Sequence, residues 1–219
     1  LADAMVCLHD LVKEIIPISL QSKLHVIFQS AKPLIGPRRF SDRNFNICVI
    51  SHLREIKDPM RTALAVRTVP NQSKIKVTHL GMAHDGRSSA KAIREMKQNP
   101  RYVWKGEVLG WQVRQELKRS HLMVISSRAE GGANVISEAV VAGVPVIASK
   151  IDGNVGLLGK NYRGYYPVGN TRELRKVILK AEKDKVFFQS LTKQCNSIKS
   201  KFTAEREQKS WAELISNIT

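Results

Sequence analysis

The chain has 219 residues, of which 42% are hydrophobic and 25% charged, a balance that permits a substantial core and excludes a disordered or fibrous chain. Its longest apolar stretch, residues 140–148, is interrupted by Gly143 and Pro145 and falls well short of the roughly 18 residues that cross a bilayer, so neither a membrane span nor a signal peptide is read. The net charge is +17, from 36 basic and 19 acidic side chains, which leaves room for an anionic partner without requiring one.

The chain opens on Leu1 and passes at once into an apolar pattern, Ala4-Met-Val-Cys-Leu8, expected of the middle of a domain; a longer parent chain is therefore expected. Residues 5–9 and 24–28 read as short strands around a helical 11–16, and Pro33, Gly36 and Pro37 mark a linker. Residues 1–45 are accordingly expected to close a preceding domain and 46–219 to form a second one. Within the second, strand patterns at 46–51, 74–80, 102–105, 122–126, 144–149 and 164–166 alternate with helical patterns at 59–69, 87–98, 111–120, 133–142 and 171–182. Such alternation predicts an α/β fold, a Rossmann-like parallel sheet with helices on both faces. The tail, 185–218, reads as two more helices with Phe187, Phe188, Leu191, Phe202, Trp211, Leu214 and Ile215 as buried stripes. Cys7, Cys48 and Cys195 are odd in number and far apart, which argues against a disulfide framework or a zinc site and makes a reducing cytoplasm the expected location.

Charge is unevenly spread. Residues 51–120 hold 15 basic and 6 acidic side chains, whereas 121–169 hold 4 and 3. Arg87, Lys91, Arg94, Lys97 and Arg101 recur at helical spacing, which makes either a solvated face or a surface for nucleic acid or anionic lipid. No recognizable nucleic-acid motif accompanies the stripe, so nucleic acid is the less favored partner.

The chemistry concentrates at 122–148. An apolar strand runs into Ser126-Ser-Arg-Ala-Glu130-Gly-Gly-Ala-Asn134, a turn whose small residues let backbone N–H groups approach a ligand and whose following helix directs its positive end at an anion. Eight positions after Glu130, Glu138 lies more than a turn into that helix, on the order of 10 Å away at the α-helical rise. A carboxylate accepts two hydrogen bonds at once, so each glutamate can hold a vicinal diol, one on a ribose and one on a hexose, with a diphosphate between them. Taken singly, Glu138 could equally be a solvated helix residue. The position beyond the carboxyl end of a strand, where ligands of open α/β sheets gather, favors the binding role.

This segment resembles the C-terminal domain of retaining glycosyltransferases of the GT-B fold, whose hallmark is a Glu-Gly turn, a second Glu eight positions on followed by Ala, and then Gly-x-Pro-Val. Here these are Glu130-Gly131, Glu138-Ala139 and Gly143-Val144-Pro145-Val146. The resemblance extends over most of 45–219 and includes Trp104-Lys-Gly-Glu-Val108, where the family turns toward the nucleobase. Three further segments, at 51–61, 126–135 and 151–158, are similar to the selenosugar synthase branch of this superfamily, which joins selenophosphate to the sugar of a UDP-sugar. The resemblance implies a UDP-sugar donor partner, with Glu130 on the donor sugar, Glu138 on the ribose diol, and the backbone of Gly131, Gly132, Ala133, Asn134 and Val135 on sugar and diphosphate oxygens. The base would lie against Gly106, Glu107 and Val108. Lys57 matches the family's diphosphate lysine, while His52 stands where an arginine is usual and Arg54 follows two positions later, so either is the second candidate.

Plainer roles stand beside these. Lys57 could be a surface lysine, His52 a hydrogen-bonded structural histidine, Asn134 a helix cap and Gly132 a turn former. Asp58-Pro59 reads as an N-cap followed by proline, which would place Lys57 beside a second helix N-terminus aimed at the cleft. The chemistry implied is stabilization of the leaving diphosphate by Lys57, His52 or Arg54, and helix ends. It requires no metal and no cofactor, and no Asp-x-Asp or His/Cys cluster offers a metal site. Acceptor binding would come from an N-terminal domain, leaving this stretch alone with little turnover. Two other readings remain open: a basic module for nucleic acid or membrane, and a sugar-nucleotide epimerase on the same fold.

Overall fold

The computed structural model describes residues 2–40 and 43–218; Leu1, Ser41, Asp42 and Thr219 lie outside the described residues. At the start, β1 (Met5–Cys7) and β2 (Leu24–Val26) pair in parallel, Met5 opposite Leu24. The helix expected over 11–16 is a 3₁₀ turn at Asp10–Glu14 followed by a single turn, α1 (Ile18–Gln21). Pro17 explains the break, because the residue before a proline is driven out of the helical region.

The remaining elements alternate. They are β3 (Phe45–Ile50), α2 (Arg61–Val66), β4 (Ile75–Leu80), α3 (Gly86–Gln98), β5 (Tyr102–Trp104), α4 (Gly110–Arg119), β6 (Leu122–Ile125), α5 (Asn134–Val141), β7 (Val146–Ser149), α6 (Asp152–Leu158), β8 (Tyr165–Tyr166), α7 (Thr171–Lys183), α8 (Lys185–Ser197) and α9 (Ala204–Ser216). Six strands form one parallel sheet in the order β5-β4-β3-β6-β7-β8. The chain therefore builds outward from β3 to one edge, crosses back, and builds from β6 to the other. Every residue of β6 and β7 is buried, so both faces of the sheet are covered by helices, as continuous apolar strands require. This is the doubly wound Rossmann-like arrangement, and the point where winding reverses, between β3 and β6, opens a crevice beyond the strands' carboxyl ends.

Four expectations need correction. The helix expected at 59–69 begins at Arg61: Asp58 is left-handed (φ 43°), its carboxylate accepts from Arg61 Nε at 2.7 Å, and no side chain caps α2. Lys57 thus ends a 3₁₀ turn, Glu55–Lys57, and has no helix N-terminus beside it. Arg101 leaves the basic stripe, since α3 ends at Gln98 and the guanidinium donates instead to the carbonyls of Pro70, Asn71, Ser73 and Ile75. In α9 only Leu214 is buried, with Trp211 and Ile215 exposed, so the helix offers the core a single residue and not the stripe expected. α6 was not anticipated: Gly153 and Gly156 are poor helix formers that hide its pattern. A Cβ on Gly153 would collide with the Glu130 carbonyl, and one on Gly156 with the His9 ring, so their use is close packing.

The linker and tail are tied together. Ser30 N–H donates to Glu207 Oε2 at 2.9 Å and Ala31 N–H to the Phe202 carbonyl at 3.1 Å. Arg38 donates to the carbonyls of Ser120 and Gly143.

Candidate functional site

The crevice at the winding reversal holds a cavity of about 350 Å³ lined from four strand ends: Ser51, His52 and Lys57 after β3, Gly81 after β4, Glu107 and Val108 after β5, and Ser127, Glu130 and Gly132 to Val135 after β6. Its floor is a close crossing of backbones. A Cβ on Gly81 would strike the Ser51 carbonyl, so only glycine lets the ends of β3 and β4 approach there. Beneath it, His79 is completely buried, its Nε2 lies 3.0 Å from the Ser51 carbonyl and its Nδ1 2.8 Å from the Tyr102 hydroxyl. Because a carbonyl only accepts, Nε2 carries the proton and Tyr102 donates to Nδ1. Burial holds the His79 pKa down to about 4, against the opposing pull of the Ser51 bond. Ser51 Oγ is 3.2 Å from the same Nε2, but a nitrogen that donates to a carbonyl is no base for a serine nucleophile.

The Lys57 and Glu130 loops are fastened to each other. Ser126 Oγ donates to the carbonyls of Lys57 and Asp58 at 3.1 and 2.9 Å, and Arg128 N–H to the Ile56 carbonyl at 2.8 Å. Across this join Lys57 Nζ reaches both oxygens of Glu130, at 2.6 and 2.7 Å, and Ser127 Oγ donates to Oε1 at 2.6 Å. The sequence assigned Lys57 to a diphosphate and Glu130 to a sugar; in the structure each is the other's partner. The Glu130 side chain is 9% exposed and that of Lys57 26%, so the pair is a preformed, half-sheltered unit at the edge of the cavity.

Past the turn, α5 opens at Asn134 with Ala133 as its N-cap and no side-chain cap, which rules out the capping role for Asn134. Asn134 Nδ2 instead reaches Glu138 Oε1 at 3.5 Å, and its Oδ1 is buried without a partner among the described residues. Gly132 has φ 131° and its Cβ space is taken by Leu8, so the position requires glycine for both reasons while lining the cavity. Glu138 lines an adjoining cavity of about 460 Å³ with Lys32 and Arg114, and the two cavities share Ile50, Val113, Asn134 and Val135. Burial raises the Glu138 pKa, and Arg114 partly offsets it. The two glutamates therefore face adjoining parts of one groove.

On the β5 side Glu107 and Val108 line the cavity; Gly106, with φ 71°, instead turns the chain and accepts from Gly81 N–H at 2.8 Å. His52 lines the cavity and is also hydrogen-bonded, its Nδ1 accepting from Met82 N–H at 3.1 Å. Arg54 is exposed and lines neither of these two cavities. Gly131 is exposed at the turn's outer edge, also outside both linings. The sequence reading missed Ser127, Gly81 and Arg114. Ser127 sits inside the quoted motif and Gly81 closes a predicted strand, but Arg114 carries no local signal. Among the described residues no group of three metal-ligating side chains gathers, and no helix is long and apolar enough to cross a membrane.

The fold and crevice define a Rossmann-like α/β domain with an acidic and a basic group paired at the reversal point. The chain belongs to the Glycosyl transferases group 1 family, whose model matches residues 35–201. No curated protein matches it in sequence. Among solved structures it is similar to HepE from Anabaena in complex with UDP and glucose, with TM-score 0.83 and 20% identity over 99% of this chain and 64% of HepE. It is similar to sucrose-phosphate synthase from Thermosynechococcus elongatus, with TM-score 0.83 and 15% identity over 100% of this chain and 59% of the synthase. TarM from S. aureus, in complex with Fondaparinux, alpha-GlcNAc-glycerol and UDP, gives TM-score 0.76 and 20% identity over 97% of this chain and 43% of TarM. The chain thus spans less than two thirds of each.

Proposed function

We propose that this chain is the donor-binding part of a retaining GT-B glycosyltransferase that takes its sugar from a UDP-sugar. One observation carries the reading: two carboxylates in the family's spacing face adjoining parts of a single groove, with a lysine at the first and the opening turn of α5 between them. In this reading Glu138 accepts both ribose hydroxyls, the N–H groups of residues 131–135 and Lys57 face the diphosphate, and Glu130 accepts from the hexose. Glu107 and Val108 border the base, and His52, rather than Arg54, borders the diphosphate. On donor entry Lys57 keeps Glu130 through two of its N–H groups and turns the third to phosphate, while the acceptor direction left on Glu130 takes a sugar hydroxyl. Charge growing on the departing diphosphate then meets a cation already in place.

The finer assignment follows the branch-like segments at 51–61, 126–135 and 151–158, which support selenophosphate as acceptor. The acceptor and any general base would be held mainly by an N-terminal domain that residues 1–45 close, so the 219-residue chain alone should bind donor but turn over little. Buried unpaired cysteines are compatible with a reducing cytoplasm. The exposed cations of α3, Arg87, Lys91, Arg94 and Lys97, are the surface an anionic membrane would meet.

Calorimetry with UDP and UDP-glucose tests the donor reading: both should bind, and Glu138→Ala should weaken both. Salt-sensitive binding to DNA or acidic vesicles that is indifferent to Glu138, without UDP binding, would establish the basic-module alternative instead. Assay of the full-length enzyme with selenophosphate and several UDP-sugars, with the anomeric configuration of the product, tests the acceptor, the stereochemistry and the epimerase alternative.

A further inference from the structure

Behind Glu130 runs a column of fully buried polar side chains that the donor reading leaves unused. Asn154, on α6, donates through Nδ2 to the Ser149 carbonyl at 2.9 Å and to Ser149 Oγ at 3.2 Å. Ser149 Oγ donates to the Ser127 carbonyl at 2.6 Å, and Ser127 Oγ donates to Glu130 Oε1 at 2.6 Å. Each of the three residues is at most 1% exposed. The direction of donation is fixed at both ends: an amide N–H₂ must face a carbonyl, and an ionized carboxylate only accepts. Donation therefore runs from Asn154 to Ser149 and from Ser149 to the Ser127 backbone, which anchors the residue whose hydroxyl donates to Glu130. Asn154 Oδ1 is left buried with no partner among the described residues, while Nδ2 makes both bonds to Ser149. α6 is held against this turn by Gly153, whose missing Cβ leaves room for the Glu130 carbonyl.

The carboxylate's acceptor capacity shows what the column does. Oε1 takes both Lys57 and Ser127, which fills its two lone-pair directions, whereas Oε2 takes Lys57 alone. One acceptor direction remains, and Ser127 decides that it belongs to Oε2.

Resting on the donor reading above, we infer that Ser127, supported by Ser149 and Asn154, is a positioning residue that presents Glu130 Oε2 to a donor-sugar hydroxyl and so sets sugar selectivity, leaving nucleotide affinity to other groups. Without the Ser127 hydroxyl the two oxygens carry the lysine alone and become equivalent, the carboxylate can rotate, and a hydroxyl of the wrong configuration is accepted nearly as well as the right one.

The experiment is calorimetry of the 219-residue chain with UDP, UDP-glucose, UDP-galactose and UDP-N-acetylglucosamine. In Ser127→Ala the Kd for UDP should stay within about twofold, while the preferred sugar's gain in affinity over UDP falls about tenfold and the three sugars converge, the scale of one charge-assisted hydrogen bond. Ser127→Thr, which restores a hydroxyl, should recover the discrimination. If the alanine variant does not fold, Ser127→Cys, with a weaker donor of similar size, should show an intermediate loss, and Asn154→Asp a loss in the same direction. Unchanged sugar ratios in a folded Ser127→Ala or Ser127→Cys variant would overturn the inference. Failure of the unaltered chain to bind UDP at all would overturn the donor reading itself and this inference with it, so the two failures are distinguishable.

Discussion

Glu130 and Glu138 are the same side chain in one motif, and the fold treats them oppositely. Glu130 is gripped by Lys57 on both oxygens and by Ser127 on one, on a turn zipped to the neighboring loop by Ser126 and Arg128. Glu138 has one long contact to Asn134, at 3.5 Å, and sits in a groove whose burial pushes its pKa up. Under the proposed donor reading, the difference separates the two ends of the ligand. A preorganized carboxylate costs nothing to orient when charge develops nearby, which suits a reacting sugar. A half-desolvated carboxylate without firm partners is stabilized by a ligand that supplies two hydroxyls, which suits the anchoring nucleoside.

The largest test of that contrast is Glu130→Gln. It keeps the shape of the side chain, removes the charge that holds Lys57, and should lower the full-length enzyme's kcat by about 10²–10³, the range for losing a preorganized electrostatic contact. UDP affinity should change far less. A variant with near-normal kcat would break the comparison, because Glu130 would then be structural.

The gripped side also rests on His79, which supports the Ser51 carbonyl under the cleft floor. Its folded pKa of about 4 lies below the ordinary value of 6.5, so between those values the unfolded chain binds the extra proton and stability rises with pH. Acidification through that window should cost about 3 kcal/mol at roughly 1.4 kcal/mol per unit. Denaturant unfolding at a series of pH values checks this, and His79→Gln should flatten the slope there.

On the open side, Glu138→Ala should weaken UDP binding by about 2 kcal/mol, near 30-fold, as two hydrogen bonds to a charged acceptor are lost and the residual burial cost is relieved. A parallel loss of kcat at saturating donor would contradict the anchoring role.

The frame that carries this contrast was legible in the sequence, but the contrast itself was not. The strand and helix alternation, the position of both glutamates and the cavity-lining turn were readable because periodicity and glycine placement are local properties. What was not readable depends on distant groups. Asp58 reads as an N-cap in the sequence but its carboxylate is taken by Arg61, and the plainer alternative for Asn134, a helix cap, fails because Ala133 fills that place. The Lys57 to Glu130 pair joins residues 73 positions apart, and α6 lies behind two glycines whose reason is the backbone packed against them.

The smallest effect sharpens the comparison most, because it isolates the state of one carboxylate. In the donor reading Glu138 accepts from both ribose hydroxyls, which needs the ionized carboxylate, and burial favors its neutral form, with Arg114 opposing. A ligand that needs the ionized form must release the proton first, so UDP affinity should fall as pH drops toward the raised Glu138 pKa, and binding there should release protons into the buffer. The loss should be no more than about tenfold per pH unit, the limit for one proton. Calorimetry in buffers of different ionization enthalpy counts the protons. In Glu138→Gln the proton release should vanish while a weakened, pH-flat affinity remains, whereas Glu130→Gln should leave it intact. If the release follows Glu130 instead, the gripped and open carboxylates have been assigned the wrong way round.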